Sequence, residues 1–452
     1  MQCVALLQAD WRDPGEILRA FAEEPFALAL LSAGAGERSR WSYLARRPIH
    51  TLVIGPDDPG DAFAAMGALL GPTLQADPDG PPFQGGLAGL MGYELAARLE
   101  AVGHSGHPDW PQLACGLYPA VLGFDHRERR VIAVGRGDTQ TEAMVRARAA
   151  LEPMAAPAAQ WPATDAPLAD GFFPITSGEA YEHAVAEVVR RIGAGEIFQA
   201  NTARAWGGRL RPGVRPVDLV ERLRGDSPAP FGAYFRLPGR AVASNSPERF
   251  VRVSAEGGLM VETRPIKGTR PRGETPEADE ALRQELLACE KDRAENLMIV
   301  DLMRNDLARV CPPGTVEVSE LFKIETFKNV HHLVSTVTGR LSEGLMGLDL
   351  LEAAFPPGSI TGAPKVQAIK VIADYEGPRG PYCGAMFWAG FDGAADSSVL
   401  IRTVALLEDA AGWRYEARAG AGIVADSDPV LERLETEAKI DAIRRALLGA
   451  EA

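Results

Sequence analysis

Cysteine is scarce in this 452-residue chain: five residues, at 3, 115, 289, 311 and 383, odd in number and without CxxC spacing. That scatter excludes a disulfide framework and a cysteine zinc site, and predicts reduced thiols in a cytosolic protein. Positive charge is also in deficit, with 47 Lys and Arg against 61 Asp and Glu and a formal net charge of -14. A phosphate backbone attracts the opposite balance, so nucleic acid is excluded as a partner. No apolar run approaches the roughly 20 residues that cross a bilayer, and the first thirty residues lack a basic-apolar-small leader pattern. The expectation is a soluble, cytoplasmic chain with no membrane partner.

What is present is enough apolar residue, 46%, to bury a substantial core. Global acidity sets a condition on any anionic ligand, which must be held by locally placed Arg, Lys and backbone amides against the overall field. An Ala/Pro tract, EPMAAPAAQWPATDAPLAD, has neither helical nor strand period and divides the chain into an N-terminal domain 1–150, a linker 151–172 and a larger domain 173–447. In the first part, HTLVIG, AVLGFD and RVIAVG read as strands, and the glycines of FQGGLAGLMGYEL suggest close backbone approach in a sheet. Beyond the linker, Thr176 and Glu179 suit a capping box for a helix ending near Gly193. Strand-like runs follow, among them FGAYFRL, RFVRV, VSTVTGRL, SVLIRTVAL and RYEARAGAGIV. Helices alternate with strand pairs irregularly, so the fold class is α+β, antiparallel sheets packed as a sandwich with helices outside.

Carboxylates accumulate on two predicted helices. In CEKDRAENLMIVDLMRNDLARV, Asp292 and Glu295 share a face of what the apolar density marks as a largely buried helix. In DPVLERLETEAKIDAIRRAL, Asp428 caps, Pro429 takes the first helical position, and Glu432, Glu435 and Lys439 form one stripe beside a packing stripe of Leu431, Leu434 and Ala438. Such carboxylates suit the oxygen-loving magnesium ion. The spacing equally fits a solvated acidic face with a Glu435–Lys439 ion pair. Anion-holding groups are expected at GSITGAPK, where Ser359 or Thr361 caps a helix starting at Pro364 beside Lys365, and at RAGAGIV, where Gly420 and Gly422 let backbone amides approach a ligand; ordinary glycine-rich turns fit both. Arg402, inside an apolar β run, calls for an anionic partner.

The strings GEIFQAN, SPERF, TRPIKGT, DRAENLMIVDLMRND, VHHLVST, GSITGAPK, YCGA, IRT, AGAGIVADS and ETEAK, in that order, resemble the chorismate-utilising enzyme family, and RSRWSYLARRP with GGLAGLMGYE is similar to its N-terminal domain. The resemblance implies that Glu295 and Glu435 bind Mg2+, with Asp292 and Glu432 as companions, and that the ion holds the ring carboxylate of chorismate. It also implies that Gly420, Ala421, Gly422, Arg402, Tyr382 and Lys439 hold the substrate's carboxylates, while Thr361 and His332 line its ring; His332 alone also reads as a core histidine. Gln199, where water-activating members carry Lys, resembles the ammonia-using members, and Lys267 in PIKGT, where anthranilate synthases carry PIAGT, resembles the aminodeoxychorismate synthase branch. In that branch Lys267 is the nucleophile and Glu248 the acid, and ammonia comes from a glutamine amidotransferase subunit, since this chain has no GxCxG elbow of its own. A carboxylate-binding role for Lys267, ortho amination as in anthranilate synthase component I, and a non-catalytic subunit remain the competing readings. ALLSAG and SRWSYLA lie where relatives carry a tryptophan pocket.

Overall fold

The computed structural model describes residues 1–34, 36–103, 106–157, 160–163, 166–327 and 330–449. Two antiparallel sheets face one another. In the first, the order is Cys3–Asp10, Arg130–Gly137, Ala120–Asp125, Trp41–Ala45, Leu28–Leu31, Phe231–Leu237, Arg240–Ser246, Thr403–Asp409, Gly412–Ile423, Gln199–Arg209 and Gly362–Ala363. In the second it is Ile266–Pro271, Val330–Arg340, Met260–Thr263, Arg249–Ser254, Ala395–Val399, Ala385–Gly390, Gly86–Met91, Leu113–Tyr118 and His50–Ile54. Antiparallel sheets with one face on a shared core and helices on the other are the α+β sandwich expected from the alternation of elements.

Residues before and after the linker share both sheets. Leu28–Leu31 pairs with Phe231–Leu237, and Gly86–Met91 pairs with Ala385–Gly390. Gly86–Met91 depends on glycine on both sides: a Cβ on Gly86 would lie 2.1 Å from Ala389 O, and one on Gly89 the same distance from Ala114 O of its other neighbour, Leu113–Tyr118. Between the sheets sit Leu28, Tyr43, Leu90, Tyr118, Phe235 and Trp388; outside them, helices close separate cores around Ile17, Leu219 and Ile443 on one face and Met66, Ile299 and Leu351 on the other. Of the linker, residues 158, 159, 164 and 165 lie outside the described residues; Leu168 and Ala169 are buried, and Ala169 bridges Leu210.

Several local expectations need correction. The helix Gly178–Gly193 is capped by Ser177, whose side chain accepts from Ala180 N–H, while Thr176 Oγ1 accepts instead from Ala205 N–H. The helix Glu290–Ala308 buries only one face, formed by Asn296, Ile299, Val300, Met303 and Leu307, and leaves Leu297 exposed. On Pro429–Leu448 the Asp428 cap and Pro429 stand as expected, but Leu431, Leu434 and Ala438 are exposed; the packed stripe is Thr436, Ile440, Ile443 and Leu447. The packed face therefore begins at Thr436, one turn later than the leucines suggested. SVLIRTVAL is two strands, Ala395–Val399 in one sheet and Thr403–Asp409 in the other, broken at Arg402 with φ +50°. A β run that changes sheets keeps its apolar pattern through the break, so composition could not reveal it.

Candidate functional site

Where the ends of the two sheets meet the helices Glu290–Ala308 and Pro429–Leu448, a cavity of about 540 Å³ opens. Five acidic side chains line it, Glu248, Asp292, Glu295, Glu432 and Glu435, with six cations, Lys267, Arg270, Lys291, Arg402, Arg418 and Lys439. In a chain of net charge -14 this local cation set meets the condition for holding an anion.

A register shift aims Lys267 into the cavity. Ile266 opposes Val334 and Thr269 opposes His332, so one extra residue bulges between them, and Gly268 takes φ +89°. No larger residue fits there, since a Cβ on Gly268 would lie 2.9 Å from Asp292 Cγ. Lys267 Nζ sits 3.5 Å from Glu295, and Arg270 lies 3.2 Å from Asp292. Across the cavity, a Cβ on Gly422 would lie 2.9 Å from Lys267 Nζ and 3.1 Å from Gln199 Nε2. The absent side chain is therefore what lets the ammonium and the amide meet.

Glu248 approaches from the turn after Arg240–Ser246. It is 7% exposed and its Oε1 accepts from Ser359 Oγ at 2.6 Å. Burial pushes its carboxyl above the ordinary carboxylate range, opposed by the Ser359 hydrogen bond and the charges of Lys267 and Lys439. A buried carboxyl with a raised pKa, in the same cavity as a lysine, is the pairing that acid-assisted displacement calls on.

Gly420 and Gly422 present backbone groups to the cavity side. Their register partners Ala203 and Asn201 send their own N–H groups to Glu376 Oε1 and Thr361 O, so the glycines also point away from that strand. Lys439 Nζ donates to Gly420 O at 3.0 Å and pairs with Glu435 at 2.6 Å. The ion pair of the plainer reading is thus present, within the cavity wall. Gln199 is fully buried with neither amide atom partnered among the described residues, and Asn201 Oδ1 is likewise unpartnered. Unsatisfied polar atoms inside a protein cost free energy and mark a place where a ligand or water completes the bonding.

Not every expected residue faces this space. Ala421 packs into a helix-covered core, and the Thr361 hydroxyl donates to Pro357 O, with Ser359 and Ile360 lining the cavity instead. His332 lines an adjoining chamber of about 820 Å³ that shares Pro247, Thr269, Arg402, Glu435 and Lys439 with the first. Its Nδ1 contacts Thr269 Oγ1 at 2.8 Å, and burial together with the charges of Arg402 and Arg38 lowers its pKa to about 4, so the ring is neutral. Arg402 has no anionic partner among the described residues, and burial lowers its pKa. Lys365 does not face the cavity: it is buried against Asp306 at 2.8 Å and Ala354 O at 2.6 Å, because the helix Lys365–Ala373 begins with Pro364 as an uncapped start and turns that lysine toward Glu290–Ala308. Sequence reasoning gave no site role to Asn201, Lys291 and Arg418 and took Ser359 only as a possible helix cap, although all four lie inside strings already singled out.

Magnesium can be tested on the donors present. Among the described residues no three acidic, His or Cys side chains enclose a metal by themselves. Mg2+ keeps several waters and takes one or two carboxylates, so that does not count against Glu295 and Glu435, which face one cavity with only lysines as ion-pair partners. Burial, and secondarily Glu435, raises the pKa of Glu432, a crowding of carboxylates that a divalent cation relieves. The donor set fits.

Comparison with known proteins agrees with this geometry. Residues 29–445 match the family described as chorismate binding enzyme. Aminodeoxychorismate synthase component 1 of Klebsiella aerogenes is 38% identical over 465 residues, covering 98% of this chain and 99% of the relative. Anthranilate synthase component 1 of Streptomyces coelicolor is 39% identical over 435 residues, covering 92% and 83%. The crystal structure of anthranilate synthase component I from Streptococcus pneumoniae superposes with a TM-score of 0.78 at 27% identity, covering 91% of this chain and 93% of that one. With a solved relative superposing over 91% of the chain and the family match spanning residues 29–445, this chain belongs to the chorismate binding enzymes.

Proposed function

We propose that the chain acts as component 1 of an aminodeoxychorismate synthase, converting chorismate and ammonia to 4-amino-4-deoxychorismate. The observation that carries the reading is Lys267, aimed by the bulge into the same cavity as the buried carboxyl of Glu248. The amine adds to the ring carbon conjugate to the hydroxyl-bearing one, the ring double bond shifts, and the hydroxyl leaves as water with the proton of Glu248. Ammonia then bonds to the carbon the hydroxyl left; the double bond returns, Lys267 departs as the amine, and a proton passes back to Glu248. The sum is chorismate plus ammonia giving product plus water, with the enolpyruvyl group kept.

Gln199, with no internal partner, is suited to orient ammonia beside Lys267. Lys439, Arg402 and the Gly420 and Gly422 backbone are the groups for substrate carboxylates, with Tyr382 beside them. Mg2+ held by Glu295 and Glu435, with Asp292 and Glu432 behind, would supply charge neutralisation for a ring carboxylate. Ammonia is assigned to a glutamine amidotransferase partner, in keeping with the word component in the relatives' names. Tryptophan is assigned to the pocket between the sheets lined by Leu30, Ser32, Arg38, Trp41 and Trp388; titration against activity tests it.

Chorismate supplied without ammonia should leave Lys267 bearing the mass of chorismate less one water. Lys267→Ala should still bind chorismate, read by calorimetry, yet lose para amination; unchanged turnover removes the covalent role. The competing reading, ortho amination with pyruvate release, is favoured by the Streptomyces coelicolor relative and is separated by product identity.

A further inference from the structure

The turn Gly92–Leu95, from the N-terminal third, grips a loop of the cavity wall with three hydrogen bonds. Tyr93 N–H donates to Gly380 O at 2.8 Å. Glu94, 3% exposed, accepts from Arg379 N–H at 2.6 Å through Oε1 and from Gly380 N–H at 3.0 Å through Oε2. Two residues further on, the loop delivers Tyr382, which is buried and lines the cavity; its hydroxyl lies 3.1 Å from where a Cβ on Gly420 would stand.

The gripped loop holds the opposite strand as well. Arg379 Nη2 donates to Asn201 O at 2.6 Å and to Glu376 at 2.9 Å, and Glu376 in turn accepts from Ala203 N–H at 2.7 Å. One carboxylate from the first hundred residues thus fixes the backbone beneath Tyr382 and, through Arg379, beneath Asn201. A buried carboxylate is costly, and here burial raises the Glu94 pKa against its backbone hydrogen bonds and the charge of Arg418. An apolar side chain would fill the space without that cost, but it offers no oxygen to accept the two successive backbone N–H groups of Arg379 and Gly380.

We propose that Glu94 is a positioning residue for chorismate binding, setting the placement of Tyr382 and Asn201 through its clamp on Arg379 and Gly380. The proposal rests on the cavity being the chorismate site, not on which ring carbon is aminated. Chorismate disappearance, measured on the full chain with Mg2+ and ammonium, tests it irrespective of product. Glu94→Gln keeps the shape but turns one acceptor into a donor, and should raise KM about tenfold while kcat changes less than about threefold. Glu94→Asp, which retains the charge and one acceptor contact, should recover part of the loss. In a Tyr382→Phe background, Glu94→Gln should cost clearly less than it does in the wild-type chain, because the share of its effect that passes through the Tyr382 hydroxyl is already lost and only the share carried by Asn201 remains. Multiplying effects, a fall in kcat at constant KM, or equal losses in the Gln and Asp variants overturn the proposal. Wild-type protein that consumes no chorismate overturns the reading of the cavity itself, whereas an ortho product leaves this proposal standing and sinks the para assignment.

Discussion

Two enclosed spaces in this molecule are both lined by charge, and they treat it in opposite ways. In the pocket between the sheets the most deeply buried charge is answered from within: Arg249 meets both oxygens of Asp396, at 2.9 and 3.0 Å, and Glu262 at 3.0 Å, and beside it Arg38 pairs with Glu325. At the cavity at the sheet ends, Arg402 has no counter-charge among the described residues, and behind Gly422 the buried Gln199 has neither amide atom bonded. The first arrangement is a finished wall. The second leaves buried polar groups unpaired, a desolvation cost that a bound anion or ordered water offsets, which is how a site for a charged ligand differs from a pocket whose ion pairs are already closed.

The contrast breaks most visibly at Glu248. Glu248→Gln should lower kcat/KM by about 10²- to 10⁴-fold, the usual worth of a placed acid, without loss of chorismate affinity. Because burial raises its pKa, wild-type activity should decline as pH rises through that raised value, and the variant's profile should lose this limb. The same raised value means that the stability contributed by the protonated form is full below the ordinary carboxylate pKa and fades as pH rises through the folded one. A profile unchanged by the substitution would assign the acid elsewhere.

Asp396→Ala probes the finished wall. It leaves Arg249 half-paired in a buried setting and should destabilise the fold by about 3 kcal/mol, read by denaturant melts, with turnover per folded molecule retained. Loss of turnover at full stability would erase the distinction between the two spaces. Gly422→Ala sharpens it from the other side: the new methyl would crowd Lys267 Nζ and Gln199 Nε2, and activity should fall about tenfold with little change in melting, since both neighbours are flexible side-chain ends.

Legibility in the sequence followed the range of the forces involved. The sandwich, the Asp428 cap with Pro429, and the glycine-dependent pairing of Gly86–Met91 are set by local pattern and were readable. Glu295, Glu435, Lys267 and Glu248 came together as the ordered motifs implied, although they stem from different elements. What failed depended on tertiary direction. Leu431 and Leu434 look like a packing stripe, yet they are exposed and Thr436, Ile440, Ile443 and Leu447 pack instead; Lys365 sits at a helix start near the site, yet turns to Asp306. The Glu94 clamp was invisible for the same reason, since an acidic residue in a glycine-rich segment gives no hint of the loop nearly three hundred residues away that it holds.

The most direct test of the account is the product formed from chorismate, Mg2+ and ammonium by this chain alone. It predicts 4-amino-4-deoxychorismate with no pyruvate released; anthranilate with stoichiometric pyruvate would contradict it.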